Sequence, residues 1–160
     1  MRLEIGPGAG KYRFSPRIRG DDVIYLDISL PGNSSSNWVR ADAQHLPFKN
    51  GVFEEVVASH VIEHLENPAL FLKECYRVLK KEGVLRLWCP NVFSKNMYRD
   101  NSHVFKANPY SLKKLLVKAG FEAHFDCPAV GSLFPRFFRF MLRALYLMLA
   151  NDVRVIAWKR

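Results

Sequence analysis

Residues 3–12 read LEIGPGAGKY, and this stretch decides the fold class. An apolar run that begins at Met1 leads directly into three glycines, so we predict that a strand ends there in a loop. Gly6, Gly8 and Gly10 allow positive φ angles and let the backbone approach a ligand closely. The loop is therefore predicted to contact a bound molecule, with a tight strand exit that binds nothing as the alternative.

The spacing of these glycines separates the ligand classes. A phosphate-binding P-loop needs a glycine five residues before its Gly-Lys pair and Ser or Thr after it. Ile5 and Tyr12 occupy those two places, which excludes a P-loop. A dinucleotide fingerprint reads G-x-G-x-x-G, but Lys11 stands where its last glycine would be. NAD is thus disfavoured and stays an open alternative.

Length and composition predict one globular domain over residues 1–160. The chain is 49% hydrophobic and 24% charged, which is typical of a packed protein. Lys and Arg number 24 against 15 Asp and Glu, and the net charge of +9 permits binding of polyanions. Cys75, Cys89 and Cys127 are too few and too far apart for a disulfide framework or a structural zinc site. We predict no metal site.

No targeting or membrane-spanning segment is predicted. Residues 1–20 lack the apolar core of a secretory signal, which favours a cytoplasmic protein. The longest apolar stretch, Phe137 to Ala150, contains Arg139 and Arg143 and is shorter than the roughly 20 residues that cross a bilayer.

Apolar strand-like runs alternate with helical patterns, which predicts an α/β fold with one sheet. The predicted strands are Met1–Ile5, Val23–Ile28, Trp38–Ala41, Glu54–Ser59, Val84–Trp88, Phe121–Asp126 and Asp152–Trp158. The predicted helices are Asn67–Lys80, Ser111–Ala119 and Pro135–Leu149. The last helix is apolar nearly all round except for a stripe formed by Arg136, Arg139 and Arg143.

Two carboxylates follow predicted strands. Asp27 closes the second strand, 17 residues after Gly10. In a doubly wound sheet this position lies beside the glycine loop, where the carboxylate can hold a ribose diol. Asp42 and Ala43 follow the third strand at the same edge, where the carboxylate can accept from the amino group of adenine. Each aspartate alone is equally well explained as a turn or helix-cap residue.

Four segments together resemble the class I S-adenosylmethionine-dependent methyltransferases, in particular their type 11 methyltransferase-domain group. LEIGPGAGKY is similar to the first motif of that family, VIYLDIS to its second, ADAQHLPFKNGVFEEVVASHVIEHL to its third and LKECYRVLKKEGVLRLWCPN to its fourth. The resemblance covers residues 1 to about 125, with the motifs in order and at the family's spacing.

The resemblance implies a Rossmann-like seven-stranded sheet of order 3-2-1-4-5-7-6, with strand 7 antiparallel and helices on both faces. It also implies S-adenosylmethionine as the cofactor. The residues that would hold its methionine part are Glu4, Gly6, Gly8, Gly10, Ser59 and His60. Those that would hold its ribose and adenine are Asp27, Ile28, Asp42 and Ala43.

Three features depart from the family pattern. The sequence begins on the first strand, so we expect the N-terminal helix that covers the substrate pocket to be absent. Pro16 interrupts the helix after the glycine loop, and LPGNSSSN at residues 30–37 replaces the helix between strands 2 and 3. One face of the sheet is therefore expected to be thinly covered, with the cofactor more exposed than usual or shielded by another subunit.

Two histidines are the candidate catalytic residues, because histidine is the usual base for a hydroxyl acceptor near neutral pH. His64 lies in SHVIEHL and resembles a family position near the transferred methyl group. His103 lies in a segment similar to relatives that act on sugars, lipids or quinone-like acceptors. The alternative for His64 is a helix-start hydrogen bond. Glu63 is interpreted as a solvated surface charge more readily than as a partner of His64.

The resulting hypothesis is a methyltransferase that acts on a small-molecule, glycan or lipid acceptor. The charge of +9 keeps an RNA methyltransferase as an alternative, and the missing pocket-covering elements keep a non-catalytic cofactor-binding subunit that needs a partner. The apolar C-terminal helix is expected to pack on the sheet, or else to form a homodimer interface or contact a membrane or lipid-linked acceptor.

Overall fold

The computed structural model describes residues 1–8, 18–32, 37–126 and 136–160. Its strands are β1 (Arg2–Ile5), β2 (Val23–Asp27), β3 (Trp38–Arg40), β4 (Phe53–Ser59), β5 (Leu79–Pro90), β6 (Phe121–Phe125) and β7 (Asp152–Lys159). They form one seven-stranded sheet of order β3-β2-β1-β4-β5-β7-β6. β7 runs antiparallel to both β5 and β6, and the other neighbours are parallel. The predicted Rossmann-like methyltransferase topology is confirmed.

Within the described residues, four helices and one short turn connect these strands. They are a 3₁₀ turn (Ile62–His64), α1 (Pro68–Val78), α2 (Lys95–Tyr98), α3 (Pro109–Lys118) and α4 (Arg136–Leu149). α1 contacts β5 and α3, and α3 contacts β6. The two longer central helices thus pack over the half of the sheet that includes the antiparallel strands.

The hydrophobic core lies between one face of the sheet and helices α1 and α3. Strand residues alternate between the two faces of a sheet, so Leu3 and Ile5 of β1 point to the same side. Both are fully or almost fully buried in a cluster that also holds Phe71 of α1 and Leu112 of α3. Burying each such side chain stabilises the fold by about 1.5–3 kcal/mol.

The opposite face of the sheet carries charged residues. Arg2 of β1 lies directly opposite Glu55 of β4, and both alternate with the core residues. Glu55 accepts a hydrogen bond from Arg86 of β5 at 2.6 Å, and the Arg86 side chain is 42% exposed. The exposure of Arg86 agrees with the expectation that one face of the sheet is thinly covered. Pro16 and residues 33–36, which contributed to that expectation, lie outside the described residues.

Helix α1 begins one residue later and ends two residues earlier than predicted. Asn67 caps it, because its side-chain oxygen accepts from the Leu70 amide at 3.0 Å, and Pro68 occupies the first turn. The prediction that the helix continues to Lys80 is wrong, because Leu79 is extended and pairs with Phe53 in the sheet. Sheet pairing overrides the local helical pattern here.

Helix α3 begins two residues earlier than predicted. The side chain of Asn108 accepts from the Ser111 amide at 2.8 Å, and the Ser111 hydroxyl accepts from the Asn108 amide at 3.2 Å. This reciprocal pair is a capping box, and Pro109 occupies the first turn. The sequence places Ser111 at the start of the helix, whereas it is the third helical residue.

Helix α4 leaves most of its apolar side chains in solvent. Large hydrophobic residues that are at least 40% exposed on it are Phe137, Phe138, Phe140, Met141, Leu145, Tyr146, Met148 and Leu149. Asn91 holds its C-terminal end by donating to the carbonyls of Leu147 and Ala150 at 2.6 and 3.1 Å. The first expected arrangement, in which the helix packs on the sheet, would bury these side chains. The helix is therefore not buried in that way. No helix in the described part of the chain is long and apolar enough to cross a membrane.

Arg77 of α1 holds the segment that follows β3. Its guanidinium donates to the carbonyls of Leu46 and Phe48 and to the side chain of Asn50, at 2.7–2.9 Å. Glu74 accepts from Arg77 at 2.7 Å and from the Leu46 amide at 2.8 Å. The hydrogen bond with Arg77 lowers the pKa of Glu74 from its ordinary value of 4.5.

We expect Arg77→Ala to lower the free energy of unfolding by about 2 kcal/mol at neutral pH, because it removes a charged donor from several carbonyls. The folded-state pKa of Glu74 lies below its unfolded value, so the stabilisation by this pair is present above the unfolded value and is lost as pH falls through the folded value. The difference between wild type and variant should therefore shrink below about pH 4.5. Urea unfolding at several pH values measures it.

Lys80→Ala is the matched control. Lys80 forms an ion pair with Glu54 on the surface, with side chains 47% and 62% exposed. Solvent screens such an exposed pair and it contributes little, so this variant should unfold almost like wild type. An Arg77→Ala variant as stable as Lys80→Ala would show that the clamp on residues 46–50 contributes nothing.

Candidate functional site

The carboxyl ends of the parallel strands β1, β2, β3 and β4 meet at one edge of the sheet, and a cavity of about 1200 Å³ opens there. Its lining includes nine residues that the sequence singled out as candidates for the site. They are Gly6, Gly8, Asp27, Ile28, Asp42, Ala43, His60, His64 and His103. Ligands bind at this edge in open α/β sheets, because strand order reverses there and leaves a crevice.

The glycine loop approaches the cavity with its backbone. Gly6 and Gly8 have φ angles of +69° and +84°. The Gly6 amide donates to the Leu26 carbonyl at 2.8 Å, which holds the loop beside the end of β2. A Cβ atom on Gly6 would lie 2.3 Å from Cγ2 of Val61, so no larger residue fits without a shift. Gly10 lies outside the described residues.

Asp27 joins the glycine loop to the end of β2. Its Oδ2 atom accepts from the Gly8 amide at 3.1 Å, and its Oδ1 atom accepts from the Ser29 amide at 3.2 Å. The carboxylate thus holds two backbone segments and still lines the cavity. The Ser29 hydroxyl also donates to Oδ1, at 3.4 Å. A carboxylate has about four acceptor positions, so these three bonds still leave acceptor capacity for a ligand.

An apolar side chain and a second carboxylate lie further along the same edge. Ile28 is 73% exposed and lines the cavity, so it offers an apolar surface for a ring. Asp42 accepts from the Gln44 amide at 2.8 Å. This backbone bond, more than the nearby His45, lowers the pKa of Asp42 and keeps it ionised. Ala43 beside it is 8% exposed and adds a small apolar contact.

Two of the candidate residues are not among those that line the cavity. Glu4 is 2% exposed, and its carboxylate accepts from the Ile18 amide at 3.1 Å. Glu4 lies on β1, two residues before Gly6, and this bond holds the backbone at Ile18. Ser59 ends β4, and its Oγ atom is buried without a hydrogen bond to any described residue.

His60 links the end of β4 to the cavity through a strained backbone. Its φ angle is +56°, a region that non-glycine residues rarely adopt. Its Nδ1 atom lies 3.1 Å from a carboxylate oxygen of Glu63, which is 0% exposed. The interpretation of Glu63 as a solvated surface charge is therefore wrong. The turn at Ile62–His64 draws this carboxylate into the cavity wall.

The two candidate catalytic histidines come together although 39 positions separate them in the sequence. The rings of His64 and His103 have centroids 4.8 Å apart and an interplanar angle of 66°. His64 Nδ1 lies 2.9 Å from the Ser102 hydroxyl, and His103 Nδ1 lies 2.9 Å from the Met97 carbonyl. The ring of His64 does not form the helix-start hydrogen bond given above as the alternative, since its partner, Ser102, lies in a distant loop.

The sequence did not reveal the polar residues around this histidine pair. Ser102 donates to Asp100 at 2.7 Å, and this bond is the main reason that the pKa of Asp100 is lowered. Asp152 begins β7 and lines the cavity with a buried Oδ1 atom that bonds to no described residue. No local motif marks these residues, because the fold brings them together from the chain after α2 and from the antiparallel strand.

Comparison with known proteins places this geometry in a family. A family model described as a methyltransferase domain matches residues 3–87. A probable S-adenosylmethionine-dependent methyltransferase of Mycolicibacterium smegmatis is 35% identical, and the match covers 76% of this chain and 51% of that protein. The ubiquinone/menaquinone biosynthesis C-methyltransferase UbiE of Haemophilus ducreyi is 37% identical, and the match covers 74% of this chain and 49% of that protein.

A solved structure agrees in fold. The crystal structure of a SAM-dependent methyltransferase from Archaeoglobus fulgidus has a TM-score of 0.69 and 23% identity, and the match covers 99% of this chain and 85% of that one. The chain spans about half the length of the curated relatives that it matches. Because the family model covers more than half of the 160 residues, and the sheet order and the relatives agree with it, the chain belongs to the class I S-adenosylmethionine-dependent methyltransferases.

Proposed function

We propose that the chain transfers a methyl group from S-adenosylmethionine to a small-molecule, glycan or lipid acceptor. One observation carries the proposal. A single cavity is lined at one end by the glycine loop and Asp27 and at the other by His64 and His103. A cofactor and an acceptor can therefore meet in it without a second site.

The described residues fit the cofactor. Gly6 and Gly8 bring the backbone of the loop to the cavity wall, and the positive φ angles there suit glycine. Asp27 ends its strand where a ribose diol can donate to its carboxylate. The exposed Ile28 offers an apolar face for the adenine ring, and the ionised Asp42 accepts from the exocyclic amino group.

S-adenosylmethionine supplies an electrophilic methyl group when it is bound, so the chain mainly has to position two molecules and exclude water. The roles of His64 and His103 as catalytic residues stay predictions. His103 donates its Nδ1 proton to a carbonyl, which leaves Nε2 with a lone pair to which an acceptor hydroxyl can donate. The same lone pair can take the proton as methyl transfer proceeds.

The charge of the cavity supports a cationic ligand and disfavours RNA. Five carboxylates line it against a single Arg, Arg99, among the described residues. The five are Asp27, Asp42, Glu63, Asp100 and Asp152. Two of them have a buried oxygen without a hydrogen bond to a described residue. A phosphate backbone would be repelled from this opening, whereas a sulfonium ion would be attracted.

A lipid-like acceptor has additional support. The relatives from Haemophilus ducreyi and Ruegeria are named ubiquinone/menaquinone biosynthesis C-methyltransferases. In this chain α4 exposes eight large apolar side chains and also carries Arg139 and Arg143, a composition that suits a lipid surface. The homodimer interface on the same helix and the cytoplasmic location stay predictions from the sequence.

Thermal unfolding with three ligands tests the proposal. S-adenosylhomocysteine at 100 times its Kd should add about 2.7 kcal/mol of stability, since it binds only the folded state. For a chain of this size that corresponds to a rise in Tm of about 5–10 °C. NAD and ATP should leave the Tm unchanged. A rise with NAD alone would replace the proposed cofactor, and cofactor binding without methyl transfer to any acceptor class would favour a subunit that needs a partner.

A further inference from the structure

Glu63, His64 and His103 form a cluster of metal-ligating groups at the acceptor end of the cavity. Each offers a ligand atom that lies within 4.8 Å of those of the other two. Ligands of a tetrahedral zinc ion lie about 3.3 Å apart, as metal-ligand distances of about 2.0–2.1 Å require. His64 is exposed, so a change in its side-chain torsions can close the remaining gap.

Hydrogen bonds orient both imidazoles for this role. A carbonyl oxygen only accepts, so His103 Nδ1 carries the proton in its 2.9 Å bond to Met97. Ser102 gives its hydroxyl proton to Asp100 at 2.7 Å, so its oxygen accepts from His64 Nδ1 at 2.9 Å. Nε2 of each ring therefore carries a lone pair. Metal-binding histidines are typically held by such outer hydrogen bonds to carbonyls and carboxylates.

Glu63 supplies the second, independent observation. It is 0% exposed, and one of its carboxylate oxygens lies 3.1 Å from His60 Nδ1. The other oxygen, Oε2, is buried and has no hydrogen bond to any described residue. Leaving such a buried atom without a partner is unfavourable. A cation bound beside it would remove that cost, and Glu63 lines the same cavity as the two histidines.

We infer that Glu63, His64 and His103 bind a divalent transition-metal ion whose open positions take an oxygen of the methyl acceptor. Two imidazoles and one carboxylate suit Zn²⁺, Fe²⁺ or Co²⁺ and not Mg²⁺ or Ca²⁺, which prefer oxygen ligands. The part of this inference that concerns the methyl acceptor rests on the proposed function. With the ion bound, the Nε2 lone pairs contact the metal in place of the acceptor hydroxyl.

The sequence gives no sign of this site. Two of the ligands are adjacent residues and the third follows 39 positions after His64, a spacing that matches no metal motif. The prediction that the chain has no metal site rested on the spacing of its cysteines and on the lack of a histidine at ligand distance from them in the sequence, and none of the three ligands is a cysteine.

Calorimetry and Co²⁺ absorption on the chelator-stripped full chain test the inference. One Co²⁺ or Zn²⁺ ion should bind per chain, and excess Mg²⁺ should not displace it. His64→Ala and His103→Ala should each weaken binding by at least about 100-fold, and Ser102→Ala by about 10-fold through loss of the outer hydrogen bond. His124→Ala is the control, because His124 is 66% exposed, pairs with Glu122 and does not line the cavity.

Glu63→Gln adds a variant of nearly equal shape, and circular dichroism shows whether it folds. The inference is overturned if wild type and the double variant of His64 and His103 bind the metal with equal affinity. It is also overturned if the spectrum of bound Co²⁺ shows no sign of histidine ligands. S-adenosylhomocysteine binding on the same samples separates the two proposals. Cofactor binding without metal binding rejects the metal site alone, and metal binding without cofactor binding rejects the proposed function.

Discussion

Replacing Gly6 by alanine is expected to abolish measurable cofactor binding and to lower the free energy of unfolding by about 2–5 kcal/mol. Two costs add. A φ of +69° costs an L-residue about 1–2 kcal/mol. The new Cβ would also lie 2.3 Å from Val61 Cγ2, and such overpacking costs about 1–3 kcal/mol. Urea unfolding and titration with S-adenosylhomocysteine measure the two effects.

Gly51 offers a matched control for the backbone term. Its φ angle is +66°, but a Cβ atom there would meet nothing within 4 Å. Gly51→Ala should therefore lose about 1–2 kcal/mol of stability and keep its affinity for S-adenosylhomocysteine. Adding Val61→Ala to Gly6→Ala should recover part of the lost stability. If Gly6→Ala and Gly51→Ala behave alike, the contact between the loop and Val61 has no role in the site.

The first half of the fold is predictable from sequence because its signals are local. The glycine loop, Asp27 and the residues after β3 each follow a strand, and parallel strands place their carboxyl ends at one edge. The helix boundaries were less predictable. Leu79 leaves the helix because it pairs with Phe53, and no pattern near Leu79 reports a partner 26 residues upstream.

The acceptor end of the site depends on contacts between distant segments. Sequence reasoning named His64 and His103, but it could not show that their rings lie 4.8 Å apart. Glu63 is polar in a helical-looking segment, which is typical of a surface residue, yet the turn at Ile62–His64 buries it completely. Burial of a charged residue follows from the path of the chain, so it became visible only in three dimensions.

The environment of helix α4 differs from the one that its sequence predicts. Its pattern of apolar residues predicts a buried helix, but eight of them are at least 40% exposed. The described residues hold it mainly at one end, through the bonds from Asn91 to Leu147 and Ala150. An amphipathic helix that its own domain does not cover is typical of contact with a lipid surface or another protein.

Asp27→Ala is expected to weaken binding of S-adenosylhomocysteine by about 1–3 kcal/mol, which is about 5- to 150-fold in Kd. In the proposed cofactor site the substitution removes the acceptors for the ribose hydroxyls. It also releases the Gly8 amide, bonded at 3.1 Å, so the glycine loop loses its tie to β2. Isothermal titration of wild type and variant measures the loss.

Two further variants separate the contributions of Asp27. Asp27→Asn keeps one side-chain acceptor for a backbone amide but offers the ribose diol fewer acceptor positions, so its affinity should lie between those of wild type and Asp27→Ala. Asp21→Ala removes an equal charge from an exposed position six residues upstream and should bind like wild type. An Asp27→Ala protein that binds as tightly as Asp21→Ala would make Asp27 a turn residue only. Asp27 is the carboxylate that ends β2 directly beside the glycine loop. Without a role for it, the cavity would have to hold the ribose through other groups.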